Sequence, residues 1–330
     1  MSPQDAPPNR IHLIAHAGSA IKDVKRFGFS DAAALFAEVR RCLPEPYKLT
    51  GSPRFLEVDT DEKKAGRRDD AARVKDLQAA IDDPRTLAIV AANGGAYFSR
   101  ILPDIDFSSL EKRRAPLWAL GFSEMTTLVN VIASYACGRG LYWLCPNYMA
   151  WKIKPREAAR KAHAEFWENL PDILSGQKPA NLDYVDLSPI RGKLVSGVAE
   201  DGPVRIVGGC LSVFTAMLTG KLGRGVTPKG RWLAMEDINE PPYRIDRYLA
   251  SLKIAGWFDQ IAGILIGDFH TKNDNQQQAV LELLKFHLPR PRKLPIVVTN
   301  CFGHTWPIVA VPINRTLRMT VRGKDVEIAD

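Results

Sequence analysis

Apolar residues recur along the chain with two spacings. Runs such as "RIHLIAHAG" (10–18) and "TLAIVAANGG" (86–95) are almost wholly apolar and end in glycine, as suits strands buried on both faces that feed a loop. Between them, "DAAALFAEVRRCL" (31–43) and "DDAARVKDLQAAIDDP" (69–84) repeat apolar residues at helical spacing. The second opens on acids and closes before Pro84, as helix ends prefer. "RRAPLWALGFSEMTTLVNVIASYACG" (113–138) predicts a third strand, a sharp turn at Ser123 and another helix. Strand and helix in alternation imply an α/β fold with a doubly wound parallel sheet over residues 1–150.

The texture then changes. "KIKPREAARKAHAEFWENLPDILSG" is charged, helical and interrupted by prolines, and predicts a surface connector over residues 151–185. Residues 186–330 read as a smaller, β-rich C-terminal domain. "PVRIVGGCLSVF" is a strand turning through Gly-Gly into a short helix, and "GRWLAMED" is a strand leading through a loop to a helix. "QIAGILIGDF" and "KLPIVVTNCFGH" are further buried strands. The closing "IVAVPINRTLRMTVRGKDVEI" alternates apolar and polar positions about an "RGKD" turn, the pattern of antiparallel β-structure.

Composition narrows the function classes. Of 330 residues, 45% are hydrophobic and 25% charged, the mix of a globular chain with a sizeable core. No run approaches the length of a membrane span, and "MSPQDAPPNR" lacks the apolar segment of a signal peptide, so no membrane partner and a cytoplasmic location are expected. The formal charge of +8 arises from bases dispersed among acids, as in "DEKKAGRRDDAARVKD", which predicts a solvated face and no nucleic-acid partner. Cys42, Cys137, Cys145, Cys210 and Cys301 are scattered and include no CxxC pair, so neither a disulfide framework nor a zinc knuckle is indicated.

Ser123 is the first candidate for chemistry. A residue between the end of a strand and the start of a helix sits on the ligand-facing edge of an α/β sheet. "GFSEM" keeps the first glycine of the G-x-S-x-G nucleophile elbow and lacks the second, so a helix cap remains the competing role. A serine nucleophile needs a base and an acid to orient it. His163 and His287 read as surface positions, His12 and His16 flank the first strand, and His270 follows a buried strand. His304 is better placed, after a strand and directly behind Gly303. Glu236, Asp237 and Glu240 all fit the acid, and spacing does not choose among them. No H-x-x-x-H spacing supports a metal site built from Glu236, Asp237, Asp268, His270 and His304, and no G-x-G-x-x-G supports a dinucleotide-binding module.

Four separated segments resemble the LD-carboxypeptidase family of serine peptidases, which includes the microcin self-immunity peptidases. These are "NGGAYFSRILPDID", "GFSEMTTL", "LAMEDINEPPYRIDRYLASLKIAG" and "CFGHTWPIVAVPI", in the family's order. The resemblance implies a triad of Ser123 as nucleophile, His304 as base and Glu236 as the acid that orients it. It also implies an oxyanion hole from the backbone N–H groups of Gly95 and Glu124, no cofactor or metal, and a homodimer. The implied substrate is a murein tetrapeptide, cut between the L-centre of a diamino acid and D-alanine. The rival substrate is a peptidyl- or aminoacyl-nucleotide amide, and the rival of another class is a small-molecule-binding α/β protein without catalysis. Asn93, Gly94, Arg100 and Arg244 are the candidate substrate contacts, the two arginines as partners for a free carboxylate. Four departures fall near these positions: Asn93 replaces an arginine, Ala96-Tyr97 inverts Tyr-Gly, Glu124 replaces aspartate, and Trp306 fills the variable place after "GHT".

Overall fold

The computed structural model describes residues 7–58, 66, 68–177, 187, 189–218, 222–271, 274–289 and 294–330. Five strands make up the first half: β1 (Arg10–Ile14), β2 (Lys48–Gly51), β3 (Thr86–Ala91), β4 (Leu117–Gly121) and β5 (Gly138–Tyr142). They lie in the order β2-β1-β3-β4-β5, and every pairing among them is parallel. That order reverses direction between β1 and β3, and the carboxyl ends of the strands on either side of such a switch point open a crevice.

The second half supplies β6 (Ile190–Ser196), β7 (Gly202–Cys210), β8 (Trp232–Ile238), β9 (Gly263–His270), β10 (Ile296–Val298), β11 (Val311–Ile313), β12 (Thr316–Arg322) and β13 (Asp325–Ala329). β7 through β10 pair in parallel, whereas β10, β6, β13, β12 and β7 are linked by antiparallel pairs. The pairings return to β7, so these seven strands form a closed ring without free edges among themselves. β11 joins the halves, pairing with β5 on one side and with β7 on the other.

Strands over the predicted runs are almost entirely buried, as expected of sheets covered on both faces. The predicted helices form at Ala32–Cys42, where the Asp31 side chain accepts a hydrogen bond from Ala34 N–H, and at Asp70–Asp82. β2 and β5 fall outside the predicted runs. The connector is a helix, Arg156–Leu174, but it is not purely a surface element. Ala159, Ala162, His163, Phe166, Trp167, Leu170 and Leu174 form a buried stripe at helical spacing.

His163 therefore contradicts its expected surface position. It is buried against Phe27, accepts a hydrogen bond at Nε2 from Trp167 Nε1 over 3.1 Å, and burial drives its pKa down to about 3. His287 is also buried, with Nε2 2.7 Å from Asp246 Oδ1. In both cases the histidine lies on the buried stripe of its helix.

The halves are locked by Thr126–Ala133, a helix whose eight residues are all buried. Asn130 Nδ2 donates to Gly208 O over 2.8 Å while its Oδ1 accepts from Gly208 N–H over 3.0 Å. Thr126 Oγ1 accepts from Cys210 N–H over 3.0 Å and donates to Ser123 O over 2.7 Å. The turn that carries Ser123 is thus bonded directly to β7 of the second half.

Candidate active site

Ser123 stands just past the carboxyl end of β4, with φ at +59°. A left-handed backbone at a residue with a Cβ costs on the order of 1 kcal/mol or more. The turn is held by its neighbours: Ser123 N–H donates to Tyr142 Oη over 3.1 Å, and Ser123 O accepts from Thr126. Gly94 abuts the side chain, since a Cβ there would lie 3.1 Å from Ser123 Cβ and 3.3 Å from Oγ. Gly95 has φ at +149°, and a Cβ on it would meet Ala17 O at 2.4 Å, so only glycine fits this turn without displacing the loop after β1.

On the other side of the crevice, His304 follows Gly303. That glycine has φ at +114°, and a Cβ there would lie 2.9 Å from Glu236 Oε2. Its absence lets Glu236, fully buried at the end of β8, reach His304 Nδ1 over 2.9 Å. A carboxylate only accepts, so it selects the tautomer with the proton on Nδ1 and leaves Nε2 as the acceptor. Burial opposes a charged ring at His304, but the charge and hydrogen bond of Glu236, with Asp237 and Asp268 behind them, outweigh it and raise the pKa.

Tyr142 is the residue that motif reasoning missed. Fully buried at the end of β5, it donates from Oη to Glu236 Oε1 over 2.5 Å while accepting from Ser123 N–H. One phenol therefore ties the backbone of the serine turn to the carboxylate behind the histidine. Gly209 makes room for it, for a Cβ there would fall 2.7 Å from the tyrosine ring. Burial, then the Glu236 charge, push the Tyr142 pKa well up, so the phenol keeps its proton and remains a donor.

The rivals for the acid have other partners. Asp237, its pKa raised by burial to about 6, accepts from Ser212 N–H over 2.8 Å and Ile238 N–H over 2.9 Å. Glu240 pairs with Arg244 at 3.6 Å. His12 and His16 each bring Nε2 to Asp76 Oδ2, at 3.0 and 3.1 Å, and His270 Nδ1 lies 2.5 Å from Asp268 Oδ2.

A cavity of about 300 Å³ brings Ser123, Asn93, Gly94, Gly95 and His304 together with Ser19, Lys22, Asp23, Phe122, Asn147, Tyr148 and Trp151. It opens at the carboxyl ends of β1, β3 and β4, next to the switch point. No direct hydrogen bond joins Ser123 Oγ to His304 among the described residues. The N–H groups of Gly95 and Glu124 donate to no described residue. The Glu124 side chain turns away from the cavity: Oε1 accepts from Phe98 N–H at 3.1 Å, Ser99 N–H at 3.0 Å and Ser99 Oγ at 3.0 Å. Burial leads the upward shift of its pKa. The carboxyl clamps the loop that follows Gly95.

The expected carboxylate partners are not on this wall. Arg100 bonds Asp70 over 2.8 Å and stacks over Tyr97, and Arg244 is an exposed partner of Glu240. Asp70 and Glu240 are the nearer anions, and they draw both guanidinium groups away. The cation on the cavity wall is Lys22, which stands in no motif.

A serine on a strained strand-to-helix turn, opposite a buried His–Glu pair at a switch-point crevice, has the parts of a serine hydrolase centre. The comparisons make the class specific. Residues 11–140 match the LD-carboxypeptidase N-terminal domain and residues 204–319 the LD-carboxypeptidase C-terminal domain. The chain belongs to the LD-carboxypeptidase family and is a serine carboxypeptidase. It is 29% identical over 302 residues to a probable murein peptide carboxypeptidase of Bacillus subtilis, covering 86% of this chain and 88% of that one. It is 33% identical over 258 residues to a putative carboxypeptidase of Streptomyces coelicolor, covering 77% and 74%. The solved structure of MccF in complex with glutamyl sulfamoyl guanosine has the same fold, with a TM-score of 0.69 at 16% identity over 98% of this chain and 97% of that one.

Among the described residues no helix is long and apolar enough to cross a membrane, and no group of three or more His, Cys, Asp or Glu side chains could hold a metal ion. The five cysteines are free thiols.

Proposed function

We propose that this carboxypeptidase cleaves a murein tetrapeptide between the L-centre of its diamino acid and the terminal D-alanine, through Ser123, His304 and Glu236. The observation that carries the reading is the single cavity shared by Ser123, the Gly94-Gly95 turn and His304, with Glu236 bonded behind the imidazole. Ser123 Oγ attacks the amide carbonyl as its proton passes to His304 Nε2, and the same proton then goes to the departing amine. Glu236 holds the ring and stabilises its charged form. The tetrahedral oxyanion sits against the N–H groups of Gly95 and Glu124, where losing one donor typically costs on the order of 10²-fold to 10³-fold in rate. Water repeats the sequence to release the acyl group.

On this reading residues 1–150 supply the nucleophile, 151–185 connect, and 186–330 supply the acid and base. The enzyme works as a cytoplasmic homodimer. Asn93 and Gly94 line the substrate's path, whereas Arg100 and Arg244 act through their own ion pairs.

A second reading, cleavage of an aminoacyl-nucleotide amide, is favoured by Tyr148 and Trp151 on the cavity wall, whose rings offer a face to a base. One assay separates the two. Wild type and Ser123→Ala are incubated with murein tetrapeptide and with an aminoacyl-nucleotide amide, and products are read by mass spectrometry. The proposal expects D-alanine release by the wild type and a loss of about 10³-fold or more in the variant. Equal turnover by the variant would remove the serine mechanism.

A further inference from the structure

Arg73, on the helix Asp70–Asp82, is fully buried, although a guanidinium is among the costliest groups to enclose. Its bonds explain the placement. Nη1 donates to His16 O over 2.6 Å and to Tyr97 O over 3.0 Å, Nη2 pairs with Asp70, and Nε lies 3.3 Å from Asp69 Oδ1. Two carboxylates thus balance the charge at one end, and the other end of the fork grips two backbone carbonyls. Arg73 does not line the cavity that holds Ser123.

Those two carbonyls flank the Gly95 turn. Ala17 O, one residue past His16, accepts from Ala96 N–H over 2.8 Å, and it is the oxygen that a Cβ on Gly95 would strike. Tyr97, one residue past Ala96, has φ at +67°, a strained conformation for a residue with a Cβ. Arg73 therefore bridges the loop after β1 and the loop after β3 at the place where they touch. From the other side Glu124 Oε1 accepts from Phe98 N–H and Ser99 N–H. A buried cation thus holds residue 97 by its carbonyl while a buried carboxyl holds 98 and 99 by their amides. The charge of Arg73 also favours the ionised form of Glu124 across this backbone.

We propose that Arg73 is a positioning residue for catalysis: with Glu124 it clamps residues 97–99 and so fixes the direction of the Gly95 N–H as negative charge develops on the attacked oxygen. The inference deepens the proposed function and rests on Gly95 donating to that oxygen. A group displaced by about 1 Å can cost on the order of 10²-fold in rate. Substrate bound before the charge develops does not feel that loss, so the cost falls on kcat and spares KM. Lysine cannot take the place of Arg73, because its single ammonium lacks the planar fork that spans two carbonyls and two carboxylates.

The test measures two rates in wild type, Arg73→Met, Arg73→Lys and Asp70→Ala, with thermal melting to check that each variant folds. One rate is hydrolysis of murein tetrapeptide. The other is labelling of Ser123 by a fluorophosphonate probe, whose phosphoryl oxygen takes the place of the oxyanion as fluoride leaves; Ser123→Ala is the control. In Arg73→Met both kcat and the labelling rate should fall about 10-fold to 100-fold with KM within about twofold, and Arg73→Lys should recover little of the loss. Asp70→Ala trims the clamp at its partly exposed end and should slow both rates about threefold or more. It carries the test if the Arg73 variants do not fold. A lower melting temperature with both rates intact, or a loss that lies in KM alone, would overturn the proposal. Labelling that slows in these variants of a protein that cleaves no tetrapeptide would keep the positioning role and sink the murein reading.

Discussion

The two walls of the crevice hold Ser123 and His304 by different physical means. On the N-terminal side the device is backbone geometry: Ser123 has φ at +59°, with glycines at 94 and 95 pressed against it. On the C-terminal side the device is buried charge, a fully enclosed Glu236 fixing His304 from a ring of strands. A hydroxyl need only be presented at the right point, so steric restraint suffices. An imidazole must also hold one tautomer and carry charge transiently, which takes a carboxylate. The difference teaches that the first wall should fail by displacement and the second by loss of electrostatics. Tyr142 is the joint between them.

The largest effect should come from the electrostatic wall. Glu236→Gln preserves shape and removes the charge, and kcat should fall on the order of 10³-fold, as expected when an imidazole loses its orienting carboxylate. The pH profile carries the sharper signature. On the proposed mechanism His304 acts as a base only when neutral, so kcat/KM should decline as pH falls through its pKa. Glu236 raises that pKa, hence the decline should move to lower pH in Glu236→Gln. A profile that stays in place would show that the carboxylate does not act on this ring.

Tyr142→Phe sharpens the comparison, because it breaks the joint while leaving both walls intact. Glu236 Oε1 loses its donor and Ser123 N–H its acceptor. Burying two such groups without partners costs about 1–3 kcal/mol each at most, so kcat should fall by about 10-fold to 100-fold with KM little changed. Thermal melting should fall as well. A drop in stability with kcat intact would reduce Tyr142 to a packing residue.

The smallest effect is expected outside the crevice. Arg244→Ala removes an exposed partner of Glu240, and kcat/KM measured on tetrapeptide should stay within about twofold, as for most surface substitutions. A larger loss would mean that substrate extends beyond the described wall.

Much of this was legible from residue order. The buried runs of β3, β4, β8 and β9 and the helices of the first half follow from apolar period. Ser123 stands out because a small polar residue interrupts a strand-to-helix transition. Glu236 could not be told from Asp237 by spacing, since neighbours at a strand end differ only in the face they take, and packing against Leu211–Met217 draws Asp237 to the other side. His163 misled because a charged helix face conceals a buried one.

The sequence by itself determined the long buried strands, the glycine turns and the family motifs, because these depend on local period and on backbone freedom. Only the tertiary structure decided that β6 through β13, with β11 set apart, close into a ring, that Tyr142 spans the two walls, and that five cations scattered over residues 22–26 and 154–156 share one cavity. Those facts arise from contacts between segments far apart in the chain. No periodicity encodes them, since each partner alone is an ordinary tyrosine, lysine or arginine until folding sets its neighbours.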